Sequence, residues 1–182
     1  MSAILELLKQ TSAFSGGIAA FIEALSEAFL RERGGVDPGW GYAAPQEDTF
    51  VVVHPKSERV NAPLYVVLHS AGHDVISCVN CTKTVGNHDI YRSPDDHYAL
   101  YLDCRKNRND WWWGGMHRRD KELIARNSGG DTTPVEKRVM DTVAWAIKRY
   151  EIDPDRVYLS GNSMGGSGAL GIGMRHGDAV SY

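Results

Sequence analysis

The sequence predicts an α/β fold, a mostly parallel sheet with flanking helices, and three observations carry that prediction. Thr49–His54, Pro63–Leu68 and Tyr98–Leu102 are short, near-continuous apolar runs, the pattern of strands covered on both faces. Thr133-Pro134-Val135-Glu136 is a full helix start: a threonine N-cap, proline at the first helical position and a glutamate that closes a capping box. Finally, Val157–Ser160 reads as a strand that runs through Gly161-Asn162-Ser163-Met164-Gly165 directly into a second helical segment.

From the N-terminus, Ile18, Phe21, Ile22, Leu25 and Phe29 fall on one stripe, which predicts an amphipathic helix over residues 17–32, ended by Gly34-Gly35. Such a helix can serve as a lid or a partner surface, or simply pack on the flank of the domain; the second is expected. Residues 1–35 are assigned to this helical extension and 36–182 to the α/β domain. A loop with Pro38, Gly39, Gly41 and Pro45 leads to the strand at 49–54, which Pro55 stops. A polar turn then precedes the strand at 63–68. His69-Ser70-Ala71-Gly72-His73 follows, and residues 74–96 read as an irregular polar segment before the strand at 98–102. The next loop holds Arg105, Lys106, Arg108 and Trp111-Trp112-Trp113. The capped helix then runs to about Tyr150, with Val135, Val139, Val143, Ile147 and Tyr150 on one face, and Asp153-Pro154-Asp155 breaks it. The last helix, Met164 to about His176, is rich in glycine, so it can lie close to the sheet at some cost in helicity.

Composition narrows the function classes. A hydrophobic content of 42% and a charged content of 24% are ordinary for a globular domain. A formal net charge of −3 gives no electrostatic case for nucleic acid or an anionic membrane. No run approaches the length of a transmembrane helix. The N-terminus lacks a basic region before its apolar residues, so no signal peptide is expected and the cytoplasm is the default compartment. Three cysteines cannot all pair internally and leave the compartment open.

Gly-x-Ser-x-Gly alone is short enough to arise by chance. At a strand-to-helix junction it has a mechanical meaning: two glycines let backbone segments pass close together while Ser163 takes a strained conformation with its hydroxyl exposed. The following helix points its first amides at the place where an oxyanion forms.

Ile152-Asp153-Pro154-Asp155-Arg156-Val157-Tyr158, leading into Gly161-Asn162-Ser163-Met164-Gly165-Gly166, resembles the esterase and predicted-peptidase group of the α/β-hydrolase superfamily. That group includes polyhydroxybutyrate depolymerase-like and feruloyl or acetylxylan esterase-like enzymes. The resemblance covers residues 49–182, the first half of such an enzyme. It implies that Ser163 is the nucleophile and that the Met164 N–H is one half of an oxyanion hole. His69-Ser70-Ala71-Gly72 stands where the family carries His-Gly-Gly-Gly or His-Gly-x, which makes Ala71 the second donor. Ser70 replaces a glycine there, so the donor's identity is open by one residue. His69, a base candidate on a bare reading, is structural by this resemblance, and His73, in the same loop, is a candidate for substrate contact.

A serine nucleophile needs a base, and the base needs an orienting carboxylate; in α/β-hydrolases both follow the serine in sequence. His176 is the sole histidine after Ser163. At the far end of the next helix it lies about 20 Å away, out of reach, and Asp178 is no better placed. The chain is therefore expected to be a piece of a longer hydrolase, stopping where the next strand should begin at about Ala179–Tyr182. The competing reading is a complete hydrolase-like module without activity. The expected function is a carboxylic-ester hydrolase acting through an acyl-enzyme on a small-molecule or polysaccharide-linked ester, with a serine peptidase as the alternative. Neither cofactor nor metal is implied.

Weaker constellations remain. His73, Cys78, Cys81 and His88 do not follow the spacing of common zinc modules; a Cys78–Cys81 disulfide or plain loop cysteines are preferred, with Cys104 a small buried hydrophobe. Trp111 and Trp112 are candidates for a substrate platform, the alternative being that they fill the core beneath their loop. Arg105, Lys106 and Arg108 read as a solvated charged stretch.

Overall fold

The structure, a computed structural model, describes residues 29–34, 47–57, 59–82, 89–104, 112 and 132–181. Among the described residues five strands form one sheet: β1 (Phe29–Gly34), β2 (Glu47–Val53), β3 (Leu64–Leu68), β4 (Tyr98–Leu102) and β5 (Val157–Gly161). Their spatial order is β1-β2-β4-β3-β5. β4, β3 and β5 are parallel, while β2 runs antiparallel to both β4 and β1.

Among the described residues the helices are α1 (Val75–Cys81), α2 (Pro134–Tyr150) and α3 (Met164–Arg175), with a 3-10 turn at Asp89–Tyr91. Strand residues alternate between two covered faces. Phe50, Val52, Leu64, Val66, Leu68, Leu100 and Leu102 share one core with Val135, Val139, Val143 and Ala146 of α2 and with Ala169 and Ile172 of α3. Val51, Val67, Ala99 and Tyr101 share the other with Val75, Cys78 and Val79 of α1 and with Tyr91. Each Val, Leu, Ile or Phe among them taken from water stabilises the fold by roughly 1.5–3 kcal/mol before entropy is counted. Both faces are thus covered, which is why the strands read as unbroken apolar runs.

The predicted strands and α2 form where the sequence places them. Thr133 Oγ1 accepts the Glu136 N–H at 3.3 Å and a Glu136 carboxylate oxygen accepts the Thr133 N–H at 2.6 Å, the reciprocal box the four residues foretell. Glu151 in the left-handed region (φ 52°) ends the helix. Asp153 then bonds the Arg156 guanidinium at 2.7 Å and the Asp155 N–H at 3.0 Å. Arg156 in turn donates to the Asn61 carbonyl, and its own carbonyl accepts the Leu64 N–H at 2.9 Å. The Asp-Pro-Asp-Arg lead-in therefore sets β5 beside β3.

Two expectations are corrected. Phe29–Gly34 is a strand, paired from Phe29↔Val52 to Gly34↔Glu47, so the helix predicted over 17–32 does not reach its predicted end. The ladder with β2 satisfies that backbone, and tertiary pairing outweighs a local helical period. Residues 1–28 lie outside the described residues. The segment read as irregular after Asp74 contains α1, started by a capping box in which Asp74 accepts the Ser77 N–H at 2.8 Å and Ser77 Oγ accepts the Asp74 N–H at 2.9 Å. Serine in the glutamate position, and a helix of only 7 residues, conceal it from a periodicity reading. Beyond β5, Ser181 forms an isolated parallel bridge with Tyr158.

Candidate active site

Ser163 stands between β5 and α3 with φ 52° and ψ −114°, a conformation that costs a non-glycine residue about 1–3 kcal/mol. The surrounding backbone imposes it. The Gly165 N–H donates to the Asn162 carbonyl at 2.8 Å and the Ser167 N–H to the Ser163 carbonyl at 3.0 Å, so the helix begins at once. A Cβ on Gly161 would sit 2.3 Å from the Gly165 carbonyl carbon, and one on Gly165 1.9 Å from the Leu68 oxygen. Only glycines permit this crossing. Ser163 is left exposed, and Met164 opens α3 with an amide that has no partner inside the helix.

The segment after β3 lies alongside. Leu68 and Gly161, the last residues of β3 and β5, are paired in register, so His69–Ala71 and Asn162–Met164 leave the sheet side by side. Adjacent strands are about 4.8 Å apart. Ser70–His73 is a tight turn closed by the His73 N–H on the Ser70 carbonyl at 3.1 Å, with Gly72 at φ +83° as its third residue. Ala71 is exposed, and the turn's own hydrogen bond does not use its amide. Asn162 Nδ2 reaches Ser70 Oγ at 3.4 Å, a direct link between the two segments.

The crossovers explain why the crevice forms here. β3 continues into α1 on one face and β5 into α3 on the other, so the chain parts in opposite directions at neighbouring strand ends. Ligand crevices of open α/β sheets form at such points.

His69 is 2% exposed and fully engaged. Its Nδ1 lies 2.9 Å from the Ser70 carbonyl and must donate, while Nε2 accepts the Cys104 N–H at 3.1 Å. That is the neutral Nδ1–H tautomer. Asp103 Oδ1 lies 3.6 Å from the same Nε2. Asp103 Oδ2 accepts the Val75 N–H of α1 at 3.2 Å, and the buried Arg138 of α2 donates to the Asp103 carbonyl at 2.9 Å. His69 is thus a structural residue that ties β3 to the end of β4.

Trp112, offered above as a substrate platform, is corrected. It is 0% exposed, its indole N–H donates to the His69 carbonyl at 2.8 Å, and its ring packs edge-on to His69. Its Cβ would meet a side chain at Gly168 at 2.4 Å, which is why α3 carries glycine there. Trp112 therefore belongs to the core. Trp111, Trp113, Arg105, Lys106, Arg108 and His88 lie outside the described residues. His73 is half-buried, with Nδ1 3.1 Å from Ser77 Oγ and its ring tilted against Tyr91.

Cys78, Cys81 and Cys104 are free thiols; the first two lie on α1 rather than in a loop, and no Cys78–Cys81 disulfide forms. Burial, partly offset by a hydrogen bond from Tyr91, pushes the Cys78 thiol up to about 12. Among the described residues no cluster of His, Cys, Asp and Glu suits a metal ion, no helix is long and apolar enough to cross a membrane, and no imidazole is hydrogen-bonded to Ser163. His176 caps the far end of α3, as its spacing predicts. Sequence reasoning missed Tyr91: it is fully buried, its hydroxyl accepts the Ser70 N–H at 3.2 Å, and it is bonded to Ser70 Oγ. Nothing in the local pattern marks it, because the contact joins residues 21 apart in sequence.

No protein-family model and no curated protein matches the sequence. Solved structures do match. A thermostable esterase aligns over 83% of this chain and 39% of its own, at 19% identity and a TM-score of 0.56. The substrate-bound fluorophosphonate-binding serine hydrolase F of Staphylococcus aureus aligns over 84% of this chain and 54% of its own, at 13% identity and a TM-score of 0.53. An S-formylglutathione hydrolase from Agrobacterium tumefaciens gives the same coverage, identity and TM-score. The chain thus spans between 39% and 54% of the length of these proteins. With this sheet order, these crossovers and these likenesses, the chain has the α/β-hydrolase fold.

Proposed function

We propose that this chain carries the nucleophile and the oxyanion-binding amides of a serine hydrolase acting on small carboxylic esters through an acyl-enzyme. The observation that carries the reading is the strained, exposed Ser163 at the start of α3, one strand spacing from the Ser70–His73 turn. Ser163 Oγ attacks the acyl carbon, and the carbonyl oxygen becomes an oxyanion. The Met164 amide, at the helix N-terminus, and the Ala71 amide, in the turn, receive that charge; one such donor is worth about 3–4 kcal/mol of barrier. Collapse of the tetrahedral species expels the alcohol and leaves the acyl group on Ser163, and water then releases it. The Ser163 proton needs a base, and the base an orienting carboxylate. Without a base the reaction at Ser163 is slow, and the oxyanion donors alone sustain a residual rate.

Solved structures of an esterase, a fluorophosphonate-binding serine hydrolase and an S-formylglutathione hydrolase on this fold support the choice of an ester substrate and of a phosphonylating probe. The test is prolonged incubation with a fluorophosphonate, followed by peptide mass spectrometry. A slow, stoichiometric adduct on Ser163, absent from Ser163→Ala, is the expected result. Adducts scattered over lysines and tyrosines, or unchanged in Ser163→Ala, would overturn the reading. Comparison of p-nitrophenyl acetate with a peptide anilide separates esterase from peptidase.

A further inference from the structure

We propose that the Tyr91 hydroxyl is a positioning group that holds the turn after β3, consuming the Ser70 amide and leaving Ala71 as the amide that faces the oxyanion. The inference rests on the hydrolase reading above and deepens it.

The family pattern puts glycine where this chain has Ser70, so the identity of the second donor is open from sequence. The structure narrows it by elimination. Ser70 is 7% exposed, and its N–H points at the Tyr91 oxygen, 3.2 Å away. A buried amide already committed to a phenol cannot also meet a substrate oxygen in the crevice. Ala71, one residue on, is exposed at the head of the same turn. The Ser70 hydroxyl is held from both sides, by the Tyr91 hydroxyl and by Asn162 Nδ2 next to the nucleophile. The serine side chain therefore adds what glycine cannot: a bridge from the turn to the Ser163 segment.

Tyr91 is itself fixed. It ends the 3-10 turn Asp89–Tyr91, its carbonyl accepts the Tyr101 hydroxyl of β4 at 2.9 Å, its ring meets His73 at 5.5 Å, and it shares a core cluster with Val75, Cys78 and Val79 of α1. The position of the turn is thus transmitted from the sheet and α1 through one phenol. The ring alone fills the core; the oxygen does the positioning.

The experiment uses the full chain and its Tyr91→Phe variant, which keeps the ring and removes the oxygen. Amide hydrogen exchange by NMR in the unmodified chain is expected to show Ser70 slower than Ala71 by about a hundredfold. In Tyr91→Phe, Ser70 exchange accelerates about tenfold while β4 amides are unchanged, and phosphonylation of Ser163 slows by a similar factor. In the Ser163 phosphonyl adduct, the Ala71 and Met164 amide protons move downfield and Ser70 does not; in Tyr91→Phe the Met164 response persists and that of Ala71 is lost. A downfield Ser70 shift in the parent adduct, or an Ala71 response unaltered in Tyr91→Phe, overturns the proposal. If Tyr91→Phe does not fold, the exchange of Ser70 against Ala71 in the unmodified chain still decides it, equal rates being the refuting result. Failure of Ser163 to react at all refutes the hydrolase reading instead, and the exchange data then judge the Tyr91–Ser70 bond alone.

Discussion

At Gly165 an added Cβ would lie 1.9 Å from the Leu68 carbonyl oxygen and 2.9 Å from that of His69, backbone atoms that cannot swing away as a side-chain end would. At Gly171, on the same helix, an added Cβ meets nothing within 4 Å. Two chemically identical substitutions should therefore part in sign. Gly165→Ala is expected to lower stability by about 3 kcal/mol or more, since the sheet and α3 must separate to admit the methyl. Gly171→Ala is expected to raise it by up to about 1 kcal/mol through helix propensity. Urea denaturation of both variants checks the pair. The spacing of Gly161, Ser163 and Gly165 made the crossing legible, because the constraint is local. Trp112 was not legible: whether an indole faces solvent or the core depends on Gly168 and His69, which meet it only in the folded chain.

Elements with strong local signals were read correctly, and those defined by their partners were not. α2 carries its own start and stop, and Glu136 also reaches Arg175 of α3 at 3.2 Å, so its first turn joins the two helices on that face. Thr133→Ala removes one half of the box and is expected to cost about 1 kcal/mol in urea denaturation. Thr133→Ser, which keeps the oxygen, should recover most of it. α1, with 7 residues, is too short to show a period and owes its start to Asp74, Ser77 and the distant Asp103. β1 exists as a strand because β2 offers it an edge, a fact that no window around Phe29 contains.

Over the whole molecule, the turn that connects α2 to β5 is held by charge. The Arg156 guanidinium, followed by the Asp155 amide, holds the Asp153 carboxyl below the usual carboxylate range; His97, then Arg59, act likewise on Asp96. A carboxyl depressed in the folded state adds stability above its unfolded pKa of about 3.9, and that contribution disappears as pH falls through the folded value. Asp153→Asn should therefore be less stable than the parent at pH 6 and lose less on going to pH 3, as read from urea midpoints at both pH values. The converse pattern would show that the Asp153–Arg156 pair is not what positions β5. The sequence by itself determined the strand runs, the capped helix and the strained serine, since each depends on neighbours within a few residues. Only the tertiary structure decided that β3 and β5 are adjacent and parallel, that Tyr91 takes the Ser70 amide, and that Trp112 is core. Those facts depend on which distant segments share a strand spacing, and hydrogen bonds and close packing act across space rather than along the chain.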